Sequence, residues 1–131
     1  MSDFNSIISK VREFHEVFGL DHHNDPKTDI SDRIIELRHR LMAEENDEYL
    51  EAAKEGNLSL VADALGDKLY ILCGTIIAHG LQDKIVAVFE EIHRSNMSKL
   101  DEDGKPIYRE DGKIMKSQRY FLPDINGVLQ K

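Results

Sequence analysis

Between Ile30 and Leu41 the apolar residues Ile30, Ile34, Leu37 and Leu41 fall at i, i+4, i+7 and i+11, the spacing of a helix with one packed face. At 100° per residue that face runs on into Glu44, Glu45 and Glu48. These lie about 60°, 40° and 20° from the line of Leu41. Ala52 then restores an apolar residue. Any fold for this chain must therefore place three carboxylates on the inward stripe of a long helix.

An isolated buried carboxylate is costly and tends to neutralise, and three within one and a half turns repel one another unless cations sit among them. The alternative is a helix that projects past its neighbours, so that the stripe meets water. On such a surface Arg40 and Glu44 would form an i, i+4 pair.

The remaining helical segments follow from periodicity and punctuation. Phe4–Phe18 carries Ile7, Ile8, Val11, Phe14, Val17 and Phe18 at helical spacing, and Gly19 stops it. A polar linker, residues 21–28, leads to the acidic helix, which begins near Thr28 or Ser31, runs to Lys54 and closes at Gly56-Asn57. A third helix spans Ser59–His79 and ends at Gly80; a fourth spans Gln82–Lys99. Beyond it, two Asp-Gly-Lys triplets eight residues apart flank Pro106 and short β-prone pieces, which predicts loop with a small hairpin. A short helix or extended strand follows from Asp124. Helices joined by short connections predict an all-α, antiparallel four-helix bundle with a C-terminal loop/hairpin tail.

The length of 131 residues predicts one domain, residues 1–131, with a loop-rich tail over 100–131. Such a chain can bury a core without disulfides or structural metal. Cys73, the only cysteine, sits in the run Ile71–Ile77 and reads as a buried thiol. A single cysteine and an N-terminus unlike a signal point to the cytoplasm. The apolar run Leu69–Ala78 is about half of a membrane span, so it predicts a core helix and no membrane partner.

The net charge of −8 argues against nucleic acid as a partner. Residues 1–93 hold 9 Lys/Arg against 19 Asp/Glu, whereas residues 94–131 hold 8 against 6. An acidic body with a mildly basic end suits metal cations in one part and phosphates in the other. Solvated acidic helix faces give the same composition.

The third helix adds Asp63 and Asp67, an i, i+4 pair on the face of Leu60, Ala64 and Ile71. Lys68 points about 100° away from Asp67. Two adjacent antiparallel helices would thus oppose three Glu with two Asp, an all-oxygen set suited to Mg²⁺ or Mn²⁺ rather than zinc. Such ions can hold a polyphosphate and activate water for attack on phosphorus. On the fourth helix Asn96 and Lys99 share a face. They either finish the helix or bind phosphate oxygens. Lys105, Lys113, Lys116 and Arg119 are solvated charges or supplements to that role, in a tail that can also close over substrate.

His22-His23, flanked by Asp21 and Asp25, lacks the helical spacing of a metal site and reads as a solvated linker. His39 and His93 fall on polar positions, and His79 reads as a helix end. No Gly-rich phosphate loop, spaced Ser/His/Asp set or paired Cys motif is present, against P-loop NTPases, serine hydrolases and zinc enzymes.

These residues resemble the all-α nucleoside triphosphate pyrophosphohydrolases, the MazG-like superfamily that includes phosphoribosyl-ATP pyrophosphohydrolase. Glu44-Glu45-Asn46-Asp47-Glu48 matches its E-E-x-x-E motif, and Asp67 matches the last residue of its E-x-x-D motif. Ala64 stands where that motif has Glu; Asp63 can supply the carboxylate from the same face with a shorter reach. This leaves the number of metals open. "EIHRSNMSKLDEDGKPIYREDGK" is similar to a bacterial and phage subgroup described as phosphoribosyl-ATP pyrophosphohydrolase-like, and the resemblance covers roughly residues 30–125.

The resemblance implies a Mg²⁺-dependent (or Mn²⁺-dependent) enzyme that cleaves a nucleoside triphosphate to monophosphate and pyrophosphate, clearing surplus or non-canonical nucleotides. Glu45, Glu48, Asp63 and Asp67 would hold metal. Glu44 or Glu45 would complete the shell or deprotonate water, and Asn96 and Lys99 would bind phosphate. A homodimer or homotetramer is implied as well, and apolar residues beyond one packing seam, Tyr70, Ile76 and Ile77 among them, agree with it. Two alternatives stand beside this reading: phosphoribosyl-ATP as substrate, in histidine biosynthesis, and a non-enzymatic helical module whose acids only bind cations.

Overall fold

The structure, a computed structural model, describes residues 3–131. Its elements in chain order are α1 (Phe4–Val17), α2 (Asp32–Glu55), α3 (Leu58–Ala78), α4 (Ile85–Met97), β1 (Ile107–Tyr108), β2 (Ile114–Met115) and α5 (Ile125–Leu129). The class is all-α, and each expected helix lies within a few residues of its sequence-based bounds. The Asp124 segment, open between helix and strand in the sequence, is helix. Among the described residues no helix is long and apolar enough to cross a membrane. The chain divides into two compact units, Met1–Asp83 and Lys84–Lys131.

In the first unit every long helix begins on a side-chain cap. Asp3 accepts from the Ser6 amide, Ser31 from Ile34 and Asn57 from Leu60, each worth about 1 kcal/mol. Helix α2 ends at Gly56 in the left-handed conformation (φ 70°), and Asn57 at once caps α3. This connection folds α2 and α3 into an antiparallel hairpin, with α1 lying against α3. Val11, Cys73 and Ile77 are the largest fully buried side chains, joined by Ile8, Ile30, Ile34, Ile76 and Ala78. Ile76 and Ile77 are thus consumed by the unit's own core. Tyr70 stays exposed, as do Leu65, Leu69 and Leu72.

The linker between α1 and α2 is exposed along most of its length, as expected, but it is not loose. It is bound to the C-terminal end of α3. His23 donates its backbone N–H to Ile77 O (3.2 Å) and Nδ1–H to Ala78 O (2.7 Å), and Lys27 N–H goes to His79 O (2.9 Å). His79, which ends α3 as expected, donates Nδ1–H to Lys27 O (2.9 Å). The last carbonyls of a helix lack internal partners; here the His23 imidazole and the His23 and Lys27 amides satisfy them, while the His79 imidazole ties the linker back through Lys27 O. Gly80 completes the closure: with φ 67° it lies against the Asp25 carbonyl, where a Cβ would overlap that oxygen.

In the second unit the tail is fastened to α4. Ser95, buried, donates Oγ–H to Phe121 O (2.8 Å), and the Phe121 N–H returns a bond to Ser98 Oγ (3.1 Å). Ser117 Oγ–H donates to Ser98 O (3.0 Å), and Glu91 accepts from the Asp124 amide (2.7 Å). The Arg94 guanidinium covers the Phe121 ring at 4.4 Å. The hairpin pairs Ile107 with Met115 and Tyr108 with Ile114. The second Asp-Gly-Lys triplet turns it, with Gly112 at φ 86°.

Candidate metal centre

The inward stripe of α2 reads, in steps of three and four, Ile34, Arg38, Leu41, Glu45, Glu48, Ala52. Its two ends are buried, and so is Arg38. The polar positions between them give the unit its two unusual places. One is the acidic end. Carboxylate oxygens of Glu45 and Glu48 on α2 and Asp67 on α3 lie within 4.8 Å of one another. Glu45 is half-buried, whereas Glu48 and Asp67 are exposed. Glu45 Oε2 is cut off from solvent and has no hydrogen-bond donor.

Burial, first, and then a bond to Glu48 and the charges of Glu48, Asp67 and Asp63 raise the Glu45 carboxyl above the ordinary carboxylate range. That bond exists only when a proton lies between the two carboxyls. With both ionised, the buried Oε2 faces like charge. Either a shared proton or a cation relieves it.

The donor set therefore fits a hard divalent cation. All three groups offer oxygen, one of them is unsatisfied, and among the described residues the cluster draws no Arg or Lys into ion-pair distance. Lys68, the nearest basic residue in sequence, donates to Asn46 of α2 instead.

Glu44 is exposed and lies outside the three-carboxylate set. Its expected pair with Arg40 is not formed among the described residues. Asp63 is also outside the set, but with Glu48, Glu51 and Glu55 it lines an adjoining cavity of about 260 Å³ floored by Ala52 and Ala64. Ala64 is buried, so the place of the expected Glu is wall rather than ligand. Asn96 is exposed and Lys99 half-buried at the end of α4, in the second unit.

The sequence of the phosphoribosyl-ATP pyrophosphohydrolase family matches residues 11–96, about two thirds of the chain and all of the acidic hairpin. The chain belongs to that family. Among solved structures, one from Exiguobacterium sp. 255-15, provisionally described as an NTP pyrophosphohydrolase, is 26% identical, with a TM-score of 0.49 over 95% of this chain and 94% of its own. A search of curated proteins finds no match.

The sequence did not point to the second unusual place. Arg38 is 7% exposed, and its guanidinium donates Nε–H to Thr75 Oγ1 (3.0 Å) and Nη2–H to Ile71 O (2.7 Å). Beside it His15, 3% exposed, donates Nδ1–H to Asp21 O (2.7 Å). Burial, chiefly, holds the His15 imidazole below its ordinary value, with the Arg38 charge acting the same way. The available signal was spacing: Arg38 lies four residues after Ile34, on the buried stripe.

Proposed function

We propose that this family member hydrolyses the anhydride between the α- and β-phosphates of a nucleoside triphosphate, using Mg²⁺ or Mn²⁺ held by Glu45, Glu48 and Asp67. The observation that carries the reading is the buried, donor-less Oε2 of Glu45 within a three-carboxylate set. A bound divalent cation supplies positive charge against the phosphate oxygens and lowers the cost of ionising water.

The chain's own carboxylates do the rest. Glu45 and Glu48 need no proton between them once a cation is present, so both are available as anions. Glu44, or Glu45 through the oxygen that does not meet the cation, takes the proton that water loses on bonding to phosphorus. The bridging oxygen leaves with its electron pair, giving nucleoside monophosphate and pyrophosphate. Asp63 faces the same region from the adjoining cavity and would complete the cation's shell. Asn96 and Lys99 are assigned to phosphate oxygens on the resemblance alone.

A second substrate is favoured by the matched family itself, named for phosphoribosyl-ATP. The chemistry is identical, so the site does not separate the two. Pyrophosphate release from dNTPs, NTPs and phosphoribosyl-ATP, with and without Mg²⁺, decides between them. No turnover of any substrate at high Mg²⁺ would leave only the non-enzymatic cation-binding module. The exposed Leu65, Leu69, Tyr70 and Leu72 on α3 support assembly as a homodimer or homotetramer. Light scattering behind gel filtration tests this, and a monomer at all concentrations would reject it.

A further inference from the structure

Arg38 presents a problem that the acidic end does not solve. A guanidinium stays charged at any ordinary pH, and removing it from water costs several kcal/mol unless charge and donors are both met. Its two bonds go to a neutral hydroxyl and a neutral carbonyl. Among the described residues Arg38 belongs to no ion pair. Of its five N–H donors, those on Nη1 find no acceptor among the described residues.

The same guanidinium lines a cavity of about 200 Å³ between α1, α2 and the linker. Arg33, His15 and Asp21 share the lining, with Ile34 and Leu37 as apolar wall. Two arginines outweigh one aspartate there. At ~30 Å³ per water the space holds roughly six waters, or one small anion with part of its hydration.

His15 lies beside the guanidinium. Its Nδ1 must carry the hydrogen, because its partner is a carbonyl, so Nε2 is left with a lone pair or a second proton. Nε2 and Arg38 Nη2 converge over Gly74, where a Cβ would lie 2.7 Å from the first and 2.5 Å from the second. Only with Nε2 protonated does His15 add a second donor for an anion; in the neutral ring the Nε2 lone pair faces the guanidinium instead.

We infer that the Arg38 cavity binds a small oxyanion, a phosphate or carboxylate group, through Arg38 with Arg33 at its mouth. This site is independent of the acidic end and of the proposed reaction. Nη1 and the second Nη2 hydrogen of the guanidinium can donate to either group in two parallel bonds.

Thermal unfolding of the full chain tests it, without divalent cations, at constant ionic strength, with chloride replaced by orthophosphate or by acetate. Binding to the folded state alone raises the midpoint with anion concentration, by a few degrees near saturation for a chain of this size. A rise with phosphate only names a phosphate ligand, with acetate only a carboxylate, and with both an unselective oxyanion site. Arg38→Gln, which keeps a donor for Ile71 O, should flatten the response, while Glu48→Gln should retain it. No response of the wild type to either anion overturns the inference, as does a response that survives Arg38→Gln. Should that variant not fold, the wild-type His15 imidazole resonances decide: movement under the same titrations supports the site, and their constancy rejects it.

Discussion

The α2–α3 hairpin carries uncompensated charge at two places along one stripe, of opposite sign and treated differently. At Arg38 the cation is wrapped in fixed neutral dipoles, the Thr75 hydroxyl and the Ile71 carbonyl, and lies inside the packed unit. At Glu45 the anion has only other anions for company, and its buried oxygen has no donor. Charge-to-dipole bonds of about 1.5–3 kcal/mol each offset much of a burial cost, so the Arg38 end is held by the protein itself. The acidic end holds nothing together without help. That contrast separates a place that fixes the hairpin's geometry from one that waits for a cation.

The contrast breaks most visibly in catalysis. Glu48→Gln and Glu45→Gln should each lower pyrophosphate release by about 100-fold or more, as removal of one transition-state charge partner does. Full activity in Glu48→Gln, measured by pyrophosphate assay, would remove the cation assignment. At the other end, Gly74→Val should lower stability by about 1–3 kcal/mol in urea unfolding, through overpacking against Arg38 and His15. Arg38→Ala in that background should restore part of the loss, a non-additivity that reports direct contact.

Cation linkage sharpens the comparison. Mg²⁺ should raise the unfolding midpoint of the wild type but not of Glu45→Gln. In the cation-free protein the raised Glu45 group keeps a proton that the unfolded chain has lost above about 4.5. Folding stability therefore falls as pH rises through the folded value, and Glu45→Gln should remove that fall. The smallest effect belongs to His15. Its folded value lies below the ordinary 6.5, so the unfolded state takes up the proton first and stability falls as pH drops below that value. His15→Gln should flatten this slope in pH-dependent melting; an unchanged slope would assign it to another histidine.

Much of this was legible because period and punctuation are local. Ser31, Asn57 and Gly56 mark ends wherever the helices pack; the i, i+3 step puts Glu45 and Glu48 on one face, and the short turn between the helices brings Asp67 to them. What stayed hidden depends on partners distant in sequence. Arg38 is polar by type, and its burial on the stripe of Ile34 becomes tolerable only through Thr75 and Ile71, more than 30 residues on. His23 read as solvent because its partner, Ala78, is 55 residues away. The order of exposure along α3 was likewise invisible: Ile77 and Tyr70 are both apolar enough for a core, and packing alone chose between them.

The two-residue passage from α2 to α3 carries a consequence for length rather than composition. Gly56 ends one helix and Asn57 starts the next with no slack between them. One residue inserted there and taken up as an extension of either helix would rotate α3 by about 100° against α2, carrying Asp67 away from Glu45 and Thr75 away from Arg38 together. The hairpin acts as a ruler whose two marks are read at once. Substitutions can tune either mark separately, but a change in the count of residues at its tip erases both.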